Sequence, residues 1–111
     1  MTARSNPLLQ GTLDMIVLQL LAAEPTNGYE LAQRIETVSR DALTINAGSL
    51  YPALYRLEER DLIRSTWEES KTGRRVKVYS LTRSGRKALA EQRQEWTRFT
   101  GALAAILKVT G

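Results

Sequence analysis

The sequence predicts a mainly α fold that carries one small β-hairpin and ends in a long helix. Three observations support this. Apolar residues recur at helical spacing through three early segments, and the period then shortens towards two on either side of a polar, glycine-containing turn. A final segment returns to a heptad-like stripe that runs to Ile106. At 111 residues the chain is long enough for one domain with a modest core, and a composition 42% hydrophobic and 25% charged is that of a globular rather than a disordered chain.

Residues 1–10 read as a loose arm, with Ser5, Asn6 and Pro7 discouraging helix. Thr12 is the expected N-cap of a first helix, in which Leu13, Ile16, Val17, Leu20 and Leu21 make the central core element. Glu24-Pro25-Thr26-Asn27-Gly28 ends it in a turn, since proline lacks the N–H that a helix interior needs. A second helix follows from about Tyr29 to Val38, with Leu31, Ala32, Ile35 and Val38 as its buried stripe. Leu43 and Ile45 anchor the connection after it, and Asn46 caps a third helix.

The third helix covers Ala47 to Glu58, with Leu50, Ala53, Leu54 and Leu57 spaced for burial. Its other side offers Ser49, Tyr51, Pro52, Tyr55 and Arg56, with no acid before Glu58. Pro52 removes one helical hydrogen bond, so a kink or a slightly later start is expected there. Ile63, Ser65 and Trp67 then alternate with Arg64, Thr66 and Glu68 as in a strand. After the turn Glu69 to Arg74, a second strand runs from about Arg75 to Leu81, with Tyr79 and Leu81 on one face and Val76 and Val78 on the other. Thr82 caps the last helix, where Leu89, Trp96 and Leu103 stand seven apart and Phe99 and Ile106 fill the companion position.

Composition also excludes chemistry. There is no cysteine and no histidine, which removes disulfides, thiolate sites, the usual zinc ligands and the usual general base. With no Gly-rich phosphate loop either, the chain reads as a non-enzyme that needs no cofactor or metal. The apolar run Met15 to Ala23 is too short to span a bilayer, nothing before it resembles a signal peptide, and a cytoplasmic protein without a membrane partner is expected.

The net charge of +4 is unevenly spread. Residues 1–45 are net acidic, and the basic excess begins with the third helix and continues through the hairpin and tail. That favours a polyanionic partner.

Three helices followed by a two-stranded hairpin is the order of a winged helix-turn-helix, in which the third helix enters the major groove and the hairpin, or wing, reaches the neighbouring backbone. Lys71, Arg74, Arg75 and Lys77 would meet phosphates from the wing. The turn Asn27-Gly28-Tyr29 offers backbone N–H groups and a phenol to another phosphate. The plainer alternatives are a solvated helix face and a solvated hairpin tip. A winged-helix module that binds other proteins without touching DNA is the second functional reading.

Several blocks resemble the PadR family of bacterial transcriptional regulators. They are Leu8-Leu9-Gln10-Gly11-Thr12-Leu13-Asp14, Asn27-Gly28-Tyr29-Glu30-Leu31, Gly48-Ser49-Leu50-Tyr51-Pro52-Ala53-Leu54-Tyr55-Arg56-Leu57-Glu58, Gly73-Arg74-Arg75 and Tyr79-Ser80-Leu81-Thr82-Arg83-Ser84-Gly85. The resemblance covers nearly all of the chain except the last helix, and the short length resembles members with a single C-terminal helix.

It implies a winged helix-turn-helix DNA-binding domain over residues 1–82 and a dimerisation helix over residues 83–111. The implied function is that of a homodimeric repressor on a palindromic double-stranded DNA operator. By that resemblance Ser49 and Tyr51 contact DNA, Gly28 and Tyr29 meet a phosphate, and Arg74 and Arg75 serve the wing; Arg56 is added from its place on the same helix face. Leu89, Trp96, Phe99, Leu103 and Ile106 are the expected dimer interface. Trp96 also has a second implied role, lining a central cavity that takes a small apolar effector.

Overall fold

In a computed structural model, which describes the backbone of residues 7–110 and the side chains of residues 11–109, the apolar stripes converge on one core. The elements are α1 (Pro7–Ala23), β1 (Thr26–Asn27), α2 (Gly28–Val38), α3 (Ala47–Glu59), β2 (Ile63–Glu69), β3 (Arg75–Leu81) and α4 (Arg83–Thr110). Leu13, Val17, Leu18 and Leu21 of α1 meet Leu31 and Ile35 of α2 and Leu50, Ala53, Leu54 and Leu57 of α3. Each fully buried leucine contributes roughly 1.5–3 kcal/mol, so this cluster is the main source of stability.

Local chemistry explains most boundaries. Asn27 caps α2 by accepting from the Glu30 N–H at 2.9 Å, and Asn46 caps α3 by accepting from the Ser49 N–H at 2.9 Å. Thr82 caps α4, its hydroxyl accepting from the Gly85 N–H at 2.9 Å and donating to the Asp61 carbonyl at 2.6 Å. Past the end of α3, Asp61 has a φ of 59°, and the Leu62 N–H donates back to the Leu57 carbonyl. The chain thereby turns directly into the hairpin.

Four expectations need correction. The first helix begins at Pro7 and not after Thr12, which lies inside it; proline fits the first turn because its missing N–H has no helical partner there. Residues 1–6, the rest of the expected arm, lie outside the described residues. Thr26–Asn27, read as turn alone, pair antiparallel with Tyr79 and Val78, so the hairpin belongs to a three-stranded sheet of order β1-β3-β2. Val38 is 66% exposed because α2 ends as it leaves the core. Finally, α3 starts at Ala47 and continues through Pro52, so no later start is needed; Gly48, which loses a helical donor to Pro52, is itself exposed.

The register pairs Ile63 with Leu81, Ser65 with Tyr79 and Trp67 with Lys77. Ile63, Tyr79 and Leu81 are buried, which settles that this face of the hairpin packs on the helices. At the wing turn Gly73 takes a φ of 83°, a value that suits glycine. Gly85 is required by space: a Cβ there would lie 2.0 Å from the Leu62 carbonyl oxygen. The first turns of α4 are thus locked to the hairpin base, and Leu89 is buried in the chain's own core. Beyond it Trp96, Phe99, Leu103, Ile106 and Leu107 are exposed. No described helix is long and apolar enough to cross a membrane.

Candidate nucleic-acid interface

The interface is assembled on the outer side of α3. With Leu50, Ala53, Leu54 and Leu57 buried, the helix presents Ala47, Gly48, Tyr51, Pro52 and Tyr55 outward. The first two are small and the next three offer flat or aromatic surface, with no carboxylate among them. The four N-terminal N–H groups of a helix lack helical partners, and the shared positive end favours phosphate nearby. Here Asn46 already takes the Ser49 N–H.

Tyr51 is aimed by its neighbour. Gly28 is buried at the start of α2 beneath the Tyr51 ring, and a Cβ on Gly28 would stand 2.7 Å from the phenolic oxygen. Gly28 therefore supplies the space in which Tyr51 lies and does not present a free surface itself. Tyr29 beside it is exposed, its hydroxyl accepting from the Gln33 amide at 3.1 Å.

Two residues expected to face DNA from α3 sit elsewhere. Ser49 is only 9% exposed, and its hydroxyl donates to the Asn46 side chain at 3.2 Å. Arg56 reaches back to α1, where its Nη2 donates to Oδ1 of Asp14 at 2.9 Å. Burial pushes the Asp14 carboxyl above its ordinary value of 3.8, and the Arg56 hydrogen bond and charge pull it part of the way back. Arg56 thus fixes α3 against α1.

The wing divides its charges. Lys77 faces α3, with its ammonium 3.8 Å from Glu58 and 5.6 Å from the Tyr79 ring centre. Glu58 also accepts from the Ser65 hydroxyl at 2.7 Å, so a single carboxylate ties α3 to both long strands. Tyr79 beneath them has its pKa raised by burial, and further by the Glu58 and Tyr51 charges. Lys71, Arg74 and Arg75 are exposed, and among the described residues none of them is ion-paired. Reading the sequence missed Trp67 and Glu58 as parts of this surface and Asp14 as the buried anchor of Arg56. Only Trp67 left a signal, a large aromatic at the exposed end of an alternating strand.

Among the described residues no group of three His, Cys, Asp or Glu could hold a metal ion. The architecture is that of a winged helix-turn-helix, with α2 and α3 as the helical pair and β2–β3 as the wing.

Comparison with known proteins gives the family. Residues 17–91 match the model of the transcriptional regulator PadR-like family, and the chain belongs to that family. It is similar to the transcriptional regulator Rv3488 of Mycobacterium tuberculosis, 36% identical over 78 residues that cover 70% of this chain and 69% of that one. It is also similar to the transcriptional regulator YqjI of Escherichia coli, 34% identical over 85 residues; these are 77% of this chain but only 39% of that longer one. The crystal structure of a PadR family transcription regulator from Clostridium difficile superposes with a TM-score of 0.76 at 30% identity, covering 86% of this chain and 97% of that one. The chain is accordingly a transcriptional regulator of the PadR family, and membership implies DNA binding.

Proposed function

We propose that the protein is a homodimeric repressor that reads one half of a palindromic operator with each α3. Residues 1–82 form the DNA-binding part, and residues 83–111 form the dimerisation helix. The observation that carries the reading is the acid-free outer face of α3, Ala47 to Tyr55, flanked by three wing cations without a carboxylate partner. In it, Tyr51 reads base edges in the major groove, with Tyr55 beside it on the same face. Tyr29, Lys71, Arg74 and Arg75 meet phosphates, while Gly28, Ser49, Arg56 and Lys77 hold the reading elements in place.

Exposed Trp96, Phe99, Leu103 and Ile106 form the two-fold contact; Leu89, already in the core, does not. Trp96 also lines an apolar groove of about 350 Å³ with Met15, Ile16, Leu20, Val38 and Leu43. A small apolar effector lodged there would touch α1, α2 and α4 together, and could change the angle between the two reading helices.

The test is the salt dependence of binding to duplex DNA carrying the region upstream of the protein's own gene. A regulator that neutralises several phosphates should lose affinity by about three orders of magnitude between about 50 and about 200 mM salt. No binding at the lower salt overturns the reading and favours a protein-binding module.

A further inference from the structure

Trp67 lies in the outer half of β2 and is 59% exposed, an unusual place for a tryptophan with no core to fill. Its directly opposed residue on β3 is Lys77, and Arg75 is the diagonal neighbour on the same face. The Arg75 guanidinium carbon stands 5.4 Å from the indole centre, within cation–π range. Arg75 has a nearer electrostatic choice, because Glu69 is its direct cross-strand partner, yet the two form no ion pair. The guanidinium rests on the ring with its charge unneutralised by any carboxylate among the described residues.

The same face of the hairpin continues inward through Lys77 and Tyr79 to the neighbourhood of Tyr51. The indole therefore stands at the outer end of a line that starts at the reading face of α3. A basic side chain with several rotatable bonds loses entropy when it docks on a phosphate, and a flat aromatic support removes part of that loss in advance.

We propose that Trp67 and Arg75 form a composite DNA contact, in which the indole holds the guanidinium in the orientation that meets the backbone beside the half-site. Trp67 is a positioning residue for Arg75 and acts on DNA only through it. This rests on the DNA-binding reading above. Arg75 carries the charge, so it sets the counterion release; Trp67 sets how well that charge is placed.

The experiment uses the full chain and the same upstream duplex, with affinity measured across a salt series. Trp67→Ala should weaken binding about twofold to thirtyfold, the span of a cation–π contact between exposed and desolvated settings, and should leave the salt slope unchanged. Trp67→Phe should restore most of the loss. Arg75→Ala should also weaken binding, and should flatten the slope by about one unit. The double substitution should bind no more weakly than Arg75→Ala alone, because the indole then has nothing to orient.

Losses that add in the double variant overturn the proposal, as does a folded Trp67→Ala protein that binds like the parent. One measurement needs no destabilising variant. DNA should change the tryptophan emission of the parent protein but not that of Trp67→Phe, which retains Trp96 as its one tryptophan. An emission change that follows protein concentration instead of DNA would assign the indole to a contact between copies and overturn the proposal. Absence of DNA binding by the parent protein would overturn the DNA-binding reading and this one together, whereas the first two outcomes overturn this one alone.

Discussion

Replacing Arg56 with methionine removes the charge but keeps much of the side-chain length, and so isolates the pairing between α3 and α1. The Asp14 side chain is 10% exposed and that of Arg56 34% exposed, with 2.9 Å between them. Removing one partner of a buried pair typically costs about 3–5 kcal/mol, since the other charge is left without compensation. Arg56 is a third exposed and Arg60 also acts on Asp14, so water and a second cation relieve part of that cost. The expected loss near neutral pH is therefore about 2–3 kcal/mol, which in a domain of this size lowers the melting midpoint by roughly 10–20 °C.

The pH dependence has a definite sign. Asp14 binds its proton more tightly in the folded state, because burial outweighs Arg56. Its contribution to stability is complete below the unfolded value of 3.8 and is lost as pH rises through the elevated folded value. Without Arg56 the folded pKa rises further, so the gap between variant and parent should be widest near neutrality. It should narrow as acid protonates Asp14. Denaturant titrations at about pH 4.5 and about pH 7.5, at one fixed protein concentration, test this. A variant as stable as the parent at the higher pH, or an equal gap at both, would refute the reasoning.

Other perturbations follow from the same geometry. Gly28→Ala places a methyl where the Tyr51 phenol lies, and because that ring is partly exposed it can swing aside. The variant should lose less than about 1 kcal/mol of stability by chemical denaturation yet bind DNA markedly less well in a gel-shift assay. Gly85→Ala drives a methyl into a backbone carbonyl that has no such freedom, and should cost about 3 kcal/mol or more in the same denaturation measurement. Phe99→Glu puts a charge on the exposed stripe of α4, and sedimentation should show it shifting a dimer towards monomer with α-helical content preserved. Tyr51→Ala should weaken binding to the operator more than to unrelated duplex, while Arg74→Ala should weaken both alike in competition assays.

Where local spacing decides burial, the sequence was readable. The stripe Leu50, Ala53, Leu54, Leu57 and the caps Asn46 and Thr82 depend only on neighbours a few residues away, and the structure has them as expected. Ser49 was within reach of the same logic: it stands four residues before Ala53 and so on the flank of the buried face. Arg56 was not, because its partner Asp14 is 42 residues away and only the packing of α1 against α3 brings them together. Gly28 and Tyr51 met for the same reason.

Two residues of strand at Thr26–Asn27 are too few to show a period. In α4 the heptad stripe runs from Leu89 to Ile106 with Gln92 in one of its slots, but a stripe does not say which surface will cover it. The fold takes Leu89 for its own core and leaves Trp96 onward outside.

The central claim is that two copies of this chain present their α3 helices to successive turns of one DNA face. Hydroxyl-radical footprinting of the upstream region, with the parent protein at about 50 mM salt, tests it most directly. The predicted result is a two-fold symmetric pattern of protection over an inverted repeat, with half-site centres about 34–36 Å apart or a multiple of that, and flanking protection from the wings. Uniform protection without symmetry, or none at all, would contradict it.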